Sequence, residues 1–147
     1  MNNEHKTEIV EIDTLGYHID RALNGMVKLL NKKFVENDID LQHAQYIILQ
    51  VLWCCEGISQ SQLSGIIGKD PAAICRALKY LESKGYVERQ DKNGKTNAVF
   101  LTDYAHSMRH SIESVVDSVI ATATAGITPG GVEILKQMLD TIYYNSK

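Results

Sequence analysis

Arg76 and Lys79 stand one helical turn apart in a stretch where cations outnumber acids. Between Lys69 and Asn97 the chain carries Lys69, Arg76, Lys79, Lys84, Arg89, Lys92 and Lys95 against Asp70, Glu82, Glu88 and Asp91, a net +3 inside a chain whose formal net charge is −3. The remaining residues therefore sum to −6. Charge segregated in this way marks a surface for an anionic partner such as nucleic-acid phosphate, rather than general solubility charge. The Arg76 guanidinium can hold a guanine edge or a phosphate through two parallel hydrogen bonds, whereas ammonium groups act as point charges. Other chemistry has little support. The sequence holds no glycine-rich phosphate loop, no His-Glu-x-x-His and no nucleophile in a recognisable setting, so no catalytic residue and no cofactor are expected. His106 and His110 are spaced i, i+4, which suits zinc if His43 or an acid completes the set; solvated histidines near a helix start are the alternative. No metal site is assigned. Cys54, Cys55 and Cys75 are an odd set without metal-ligand spacing, which fits a reducing compartment.

Two short helices must position these cations. Ser59 stands three residues before Gln62, a capping box, and Leu63, Ile66 and Ile67 follow at helical spacing up to Gly68. Asp70 is a good N-cap and Pro71 suits the first helical position. From there Ile74, Leu78 and Leu81 form one apolar stripe, so the helix docks on them and turns Ala72, Ala73, Arg76 and Lys79 outward until Gly85. The period then becomes extended: 86–90 and 98–102 are strand candidates around Asn93-Gly94, a hairpin with Lys92 and Lys95 at its tip. Helix, tight link, helix and two-stranded ribbon make a winged helix-turn-helix over 41–102.

Amphipathic helices flank this unit. Ile9, Ile12, Leu15, Ile19, Leu23, Met26, Leu30 and Phe34 predict one long helix over 9–36, after eight polar residues expected to fray, and Leu41 to Cys55 predicts a second. After the wing, helices are expected from Asp103 to about Thr124 and from Thr128-Pro129 onward, with Gly126 between them. The expected fold is mainly α with a small two-stranded β wing, one unit of 147 residues. The outer helices, 9–36 and 103–145, exceed what so small a core needs, and an uncovered stripe of this length favours association. No apolar run approaches membrane-spanning length, and no basic segment followed by an apolar core opens the sequence, so a cytoplasmic location is expected.

The run Leu41-Gln42-His43-Ala44-Gln45-Tyr46-Ile47-Ile48-Leu49, the start Ser59-Gln60-Ser61-Gln62-Leu63, the block from Arg76 to Arg89 and the closing Leu101-Thr102 resemble the MarR family of bacterial transcription regulators. The resemblance covers nearly the whole chain. It implies a homodimer closed by the terminal helices, whose helix over 71–84 enters the major groove of double-stranded DNA while the wing follows the backbone. It also implies Arg76 as the base or phosphate contact, Lys69, Lys79, Lys92 and Lys95 as phosphate contacts, and Ser61 and Gln62 as further donors. The sequence departs from the family pattern where Asn93-Gly94-Lys95 replaces the usual wing Asp-x-Arg, and where Ala72 and Ala73 leave only apolar contact with a thymine methyl.

Many family members bind a lipophilic or phenolic effector between dimer helices and reading module. By that resemblance Tyr17, His18, Arg21, Tyr46 and Trp53 are candidates to line a pocket here; aromatic core is the competing reading. Cys75 on the reading helix could make the protein thiol-responsive, or serve as a small hydrophobe. Beside a repressor relieved by a ligand, a winged module that binds proteins or ligands without reading DNA stays open.

Overall fold

The computed structural model describes residues 12–91 and 97–147. Its elements run α1 Leu15–Glu36, α2 His43–Cys54, β1 Ile58–Ser59, α3 Gln60–Ile67, α4 Pro71–Ser83, β2 Val87–Asp91, β3 Asn97–Leu101, α5 Asp103–Ala123 and α6 Pro129–Asn145. Lys92, Asn93, Lys95 and the hairpin turn lie outside the described residues, as do Ile9 and the polar start of the chain.

Local chemistry sets most boundaries. Ser59 Oγ accepts from Gln62 N (3.1 Å) while Gln62 Oε1 accepts from Ser59 N (2.8 Å), the reciprocal capping box of α3. Asp70 Oδ1 accepts from Ala73 N at 2.9 Å and Pro71 opens α4. Tyr86 N returns to Leu81 O (2.9 Å) past the left-handed Gly85, closing α4 with a Schellman motif. Thr102 and Thr128 are the N-caps of α5 and α6, their hydroxyls accepting from Ala105 N and Gly131 N.

Three expectations change. α1 begins at Leu15, not at residue 9, because the Thr14 hydroxyl accepts from Tyr17 N; Ile12 is exposed and outside the helix. α2 begins at His43, where Gln45 Oε1 accepts from the N-cap Gln42 N at 2.8 Å, which leaves Leu41 buried ahead of the helix. The expected two-stranded wing, β2 and β3, gains β1 as a third strand among the described residues, giving an antiparallel sheet of order β1-β3-β2. Ile58 pairs with Val99 and Ser59 with Ala98. A strand of two residues has no alternation to read. Gly57 makes it possible: its φ is +78°, and a Cβ there would stand 3.1 Å from the Phe100 ring.

The core is shared by the winged unit and the ends of its neighbours. Phe34, Ile48, Leu49, Leu52, Leu63, Ile74, Leu78, Leu81, Tyr86, Val99 and Ile112 are the largest fully buried side chains. In α1 only Leu30 and Phe34 are buried, and in α6 no residue is. Leu23 and Met26 of α1 and Ile134, Leu135, Met138, Leu139 and Ile142 of α6 face outward from the single chain. The tip of α6 returns to α3. The Tyr143 ring lies against Gly68, where a Cβ would be 3.3 Å from it, and its hydroxyl is 3.5 Å from Gly65 O.

Candidate nucleic-acid interface

α4 buries Ile74, Ala77, Leu78 and Leu81 and turns the opposite face to solvent. Ala72, Arg76 and Lys79 are exposed there and Ala73 is half-buried beside them. Among the described residues neither Arg76 nor Lys79 has an ion-pair partner, so both charges are free for an anion. Ala72 and Ala73 keep the helix start narrow, which lets the backbone approach a groove closely. On α3, Ser61 is exposed with its hydroxyl unengaged, whereas Gln62 spends its carbonyl oxygen on the cap and retains only the amide donors.

The other cations of the segment are placed differently. Lys84 Nζ pairs with Asp40 Oδ2 at 2.8 Å and lies over the Tyr80 ring. Arg89 is tied to Glu82. Lys69 is exposed but lines a cleft with Asn24, Asn31 and His43, between α1 and the start of α2. Burial, with the Lys69 charge next, lowers the His43 pKa below the ordinary imidazole value, so that ring is neutral at physiological pH.

Tyr80 and Asp40 join α4 to the loop after α1, a link that sequence reasoning missed because its partners are far apart in the chain. Tyr80 Oη donates to Asp40 Oδ1 at 2.6 Å. The Lys84 contact and then the Tyr80 bond lower the Asp40 pKa. Burial, reinforced by the Asp40 bond and charge, pushes the Tyr80 phenol up to about 12 from an ordinary 10.0. A raised pKa stabilises the fold fully below the ordinary value, and this contribution is lost as pH rises through the folded one. The difference in 295 nm absorbance titration between the wild type and Tyr80→Phe is therefore expected to show one phenol ionising near 12. Asp40→Ala should bring that midpoint back toward 10.0, and an unchanged midpoint would refute the link.

The five residues expected to share a ligand pocket do not meet in one place. Arg21 Nη1 donates to Tyr17 Oη at 3.3 Å, and His18 lies 3.1 Å from Asp13. His18 and Arg21 line a groove beside the α5–α6 turn, with Gly25, Thr124 and Ile127. Tyr46 and Trp53 instead line a cleft of about 290 Å³ between α2 and α5, with Gln50, Arg109, Glu113 and Asp117. The reason is position along the helices: Tyr17 to Arg21 lie at the far end of α1 from the winged unit, whereas Tyr46 and Trp53 face α5. Arg109 lies over the Trp53 ring, and Trp53 Nε1 is buried without a hydrogen-bond partner among the described residues. Burial and the Glu113 and Asp117 charges raise the Tyr46 pKa. A third, apolar cleft of about 180 Å³ lies between α1, α2 and α5, walled by Leu23, Met26, Val27, Tyr46, Val116 and Ile120. Cys75 is half-buried on α4, and Cys54 and Cys55 are exposed. Among the described residues no three His, Cys, Asp or Glu gather as a metal set; His106 is turned to Glu56, 3.3 Å away. No described helix is long and apolar enough to cross a membrane.

Comparison with known proteins points the same way. The sequence pattern of the MarR family matches residues 41–94. The uncharacterized HTH-type transcriptional regulator YdgJ of Bacillus subtilis (strain 168) is 30% identical over 126 residues, covering 82% of this chain and 76% of YdgJ. A cysteine-to-serine variant of MarR from E. coli, solved with operator DNA, superposes with a TM-score of 0.76 at 25% identity, over 87% of this chain and 92% of that one. CouR from Rhodococcus jostii RHA1, solved with p-coumaroyl-CoA, shares the fold with a TM-score of 0.78 at 23% identity, over 88% and 91% of the two chains. With a winged helix-turn-helix, an α4 that turns its polar face outward and these relatives together, the chain belongs to the MarR family of transcriptional regulators.

Proposed function

We propose that this protein is a cytoplasmic homodimer that binds a specific double-stranded operator and represses transcription until a small lipophilic or phenolic ligand releases it. The observation that carries the reading is the α4 face, where Arg76 and Lys79 are exposed and unpaired beside the small Ala72 and Ala73. Arg76 reads a base or grips a phosphate, and Lys79, Ser61 and the amide of Gln62 hold the backbone. Lys92 and Lys95 add phosphate contacts from the wing, with Asn93 in place of the usual acid. Lys69 contributes there less than Lys79, since it lines the α1–α2 cleft.

Homodimerisation is supported by the uncovered apolar faces of α1 and α6, within the terminal segments 9–36 and 103–145. The operator complex of the related MarR supports the operator-binding reading. The ligand reading is supported by the apolar cleft between α1, α2 and α5, whose walls belong to both the dimer helices and the reading module, and by the ligand held in CouR. The Ala72 and Ala73 start, which offers no hydrogen-bonding side chain, favours one competing reading, an interaction module that no longer reads DNA.

Duplexes selected from a random-sequence pool by the purified protein separate the two. A regulator binds its selected duplex far better than unselected DNA, with log K falling against log salt at a slope of about −5 or steeper, as Lys79, Lys92 and Lys95 on each of two heads require. Equal, weak binding to both duplexes would favour the interaction module.

A further inference from the structure

The reading helix is held at both ends by two side chains that are bonded to each other. Arg89, on β2, donates from Nε to Glu82 Oε1 (2.5 Å), in the last turn of α4, and from Nη1 to Gln60 Oε1 (3.3 Å). Gln60 opens α3 and donates from Nε2 to Pro71 O (3.3 Å), the first residue of α4. The Arg89 side chain is only 20% exposed and Glu82 takes its charge. Arg89 is therefore withdrawn from the pool of phosphate contacts, although its residue type suggests membership.

We propose that Arg89 and Gln60 are positioning residues for DNA recognition: by spanning β2, α3 and both ends of α4, they fix the angle between reading helix and wing. The inference rests on the DNA-reading function proposed above. The guanidinium is needed for its shape. Nε and Nη1 point to partners on different helices, a task for which the single ammonium of lysine has the charge but not the fork. A groove can be read only when helix and wing arrive together, whereas phosphate attraction tolerates misalignment. Loss of the latch therefore separates specific from non-specific binding.

The test compares a duplex selected by the wild type with an unselected one. Arg89→Lys, which preserves net charge, is expected to bind the unselected duplex within about twofold of the wild type and the selected duplex about tenfold more weakly. Gln60→Ala, a milder change, should shift the same ratio less. Because both act through one network, the double variant should be no worse than Arg89→Lys alone. A merely structural role would lower the binding-competent fraction for both duplexes and leave their ratio unchanged. An unchanged ratio in both single variants, or losses that add, would overturn the proposal. If the wild type does not discriminate between duplexes, the DNA-reading function fails, and amide residual dipolar couplings decide the latch separately. A changed orientation of β2 and β3 against α4 in Arg89→Lys sustains it; an unchanged one rejects it.

Discussion

Arg76→Ala is expected to raise the Kd for a selected duplex about 100-fold while leaving the protein as stable as the wild type. Arg76 is exposed on α4 and has no partner among the described residues, so its removal leaves no buried group unsatisfied and should change folding stability by less than about 0.5 kcal/mol. The loss at each half-site should be about 1–3 kcal/mol if the guanidinium makes a bidentate contact. In a homodimer both heads carry the change, so the two free-energy losses add and their fold-changes in Kd multiply. Arg76→Lys tells the two kinds of contact apart. With a base contact, lysine keeps binding to unselected DNA but loses most of the preference; with a phosphate contact, it restores most of the affinity for both duplexes. Fluorescence anisotropy over a salt series reads all three proteins, and wild-type affinity in Arg76→Ala would remove α4 from the interface.

Leu139→Glu should convert the protein to a monomer at micromolar concentration. Leu135, Met138, Leu139 and Ile142 form one stripe on α6 and are 40%, 53%, 39% and 36% exposed in the single chain, so a carboxylate there is tolerated before association. Within a closed interface the same carboxylate would be buried unpaired, at a cost of several kcal/mol. Gln137→Glu, on the other side of the helix, is the matched control. Sedimentation velocity should give the dimer mass for the wild type and the control and the monomer mass for Leu139→Glu. Operator affinity should fall roughly 100- to 10,000-fold with it, because the second head would no longer bind at the effective concentration its linkage provides. A dimer that survives the substitution would place the interface elsewhere.

What could be read along the chain was local in cause. Ser59 with Gln62, Asp70 with Pro71, and Thr128 with Pro129 announce helix starts because the cap and its target amides are neighbours in sequence. The stripe Ile74, Leu78 and Leu81 shows which way α4 faces, and with it the outward position of Arg76 and Lys79. Periodicity misled at α1, where Ile9 and Ile12 continue the apolar spacing past the point at which Thr14 caps the helix. It was silent at β1, which exists only because β3 offers an open edge to Ile58 and Ser59. The site's wiring was the least legible. Arg89 looks like one more phosphate-binding cation until the turn at Gly85 brings it back onto Glu82, and Tyr80 finds Asp40 across forty residues. The family resemblance groups Tyr17 and Arg21 with Tyr46 and Trp53, yet the first two bond each other on α1 while the others face α5.

The contact of Tyr143 with Gly68 gives α6 two tasks at once. Its apolar stripe is the surface on which a second chain would close, and its tip rests on the turn that leads into the reading helix. In the proposed homodimer, whatever orientation of that turn a DNA half-site prefers would therefore be felt by the helix that joins the subunits. Free energies of coupling are reciprocal, so if dimerisation tightens the grip on DNA by some factor, DNA must tighten the dimer by the same factor. The concentration at which such a dimer falls apart would then not be a constant of the protein: it would drop when operator sites are present, and subunit exchange between bound and free molecules would become slow.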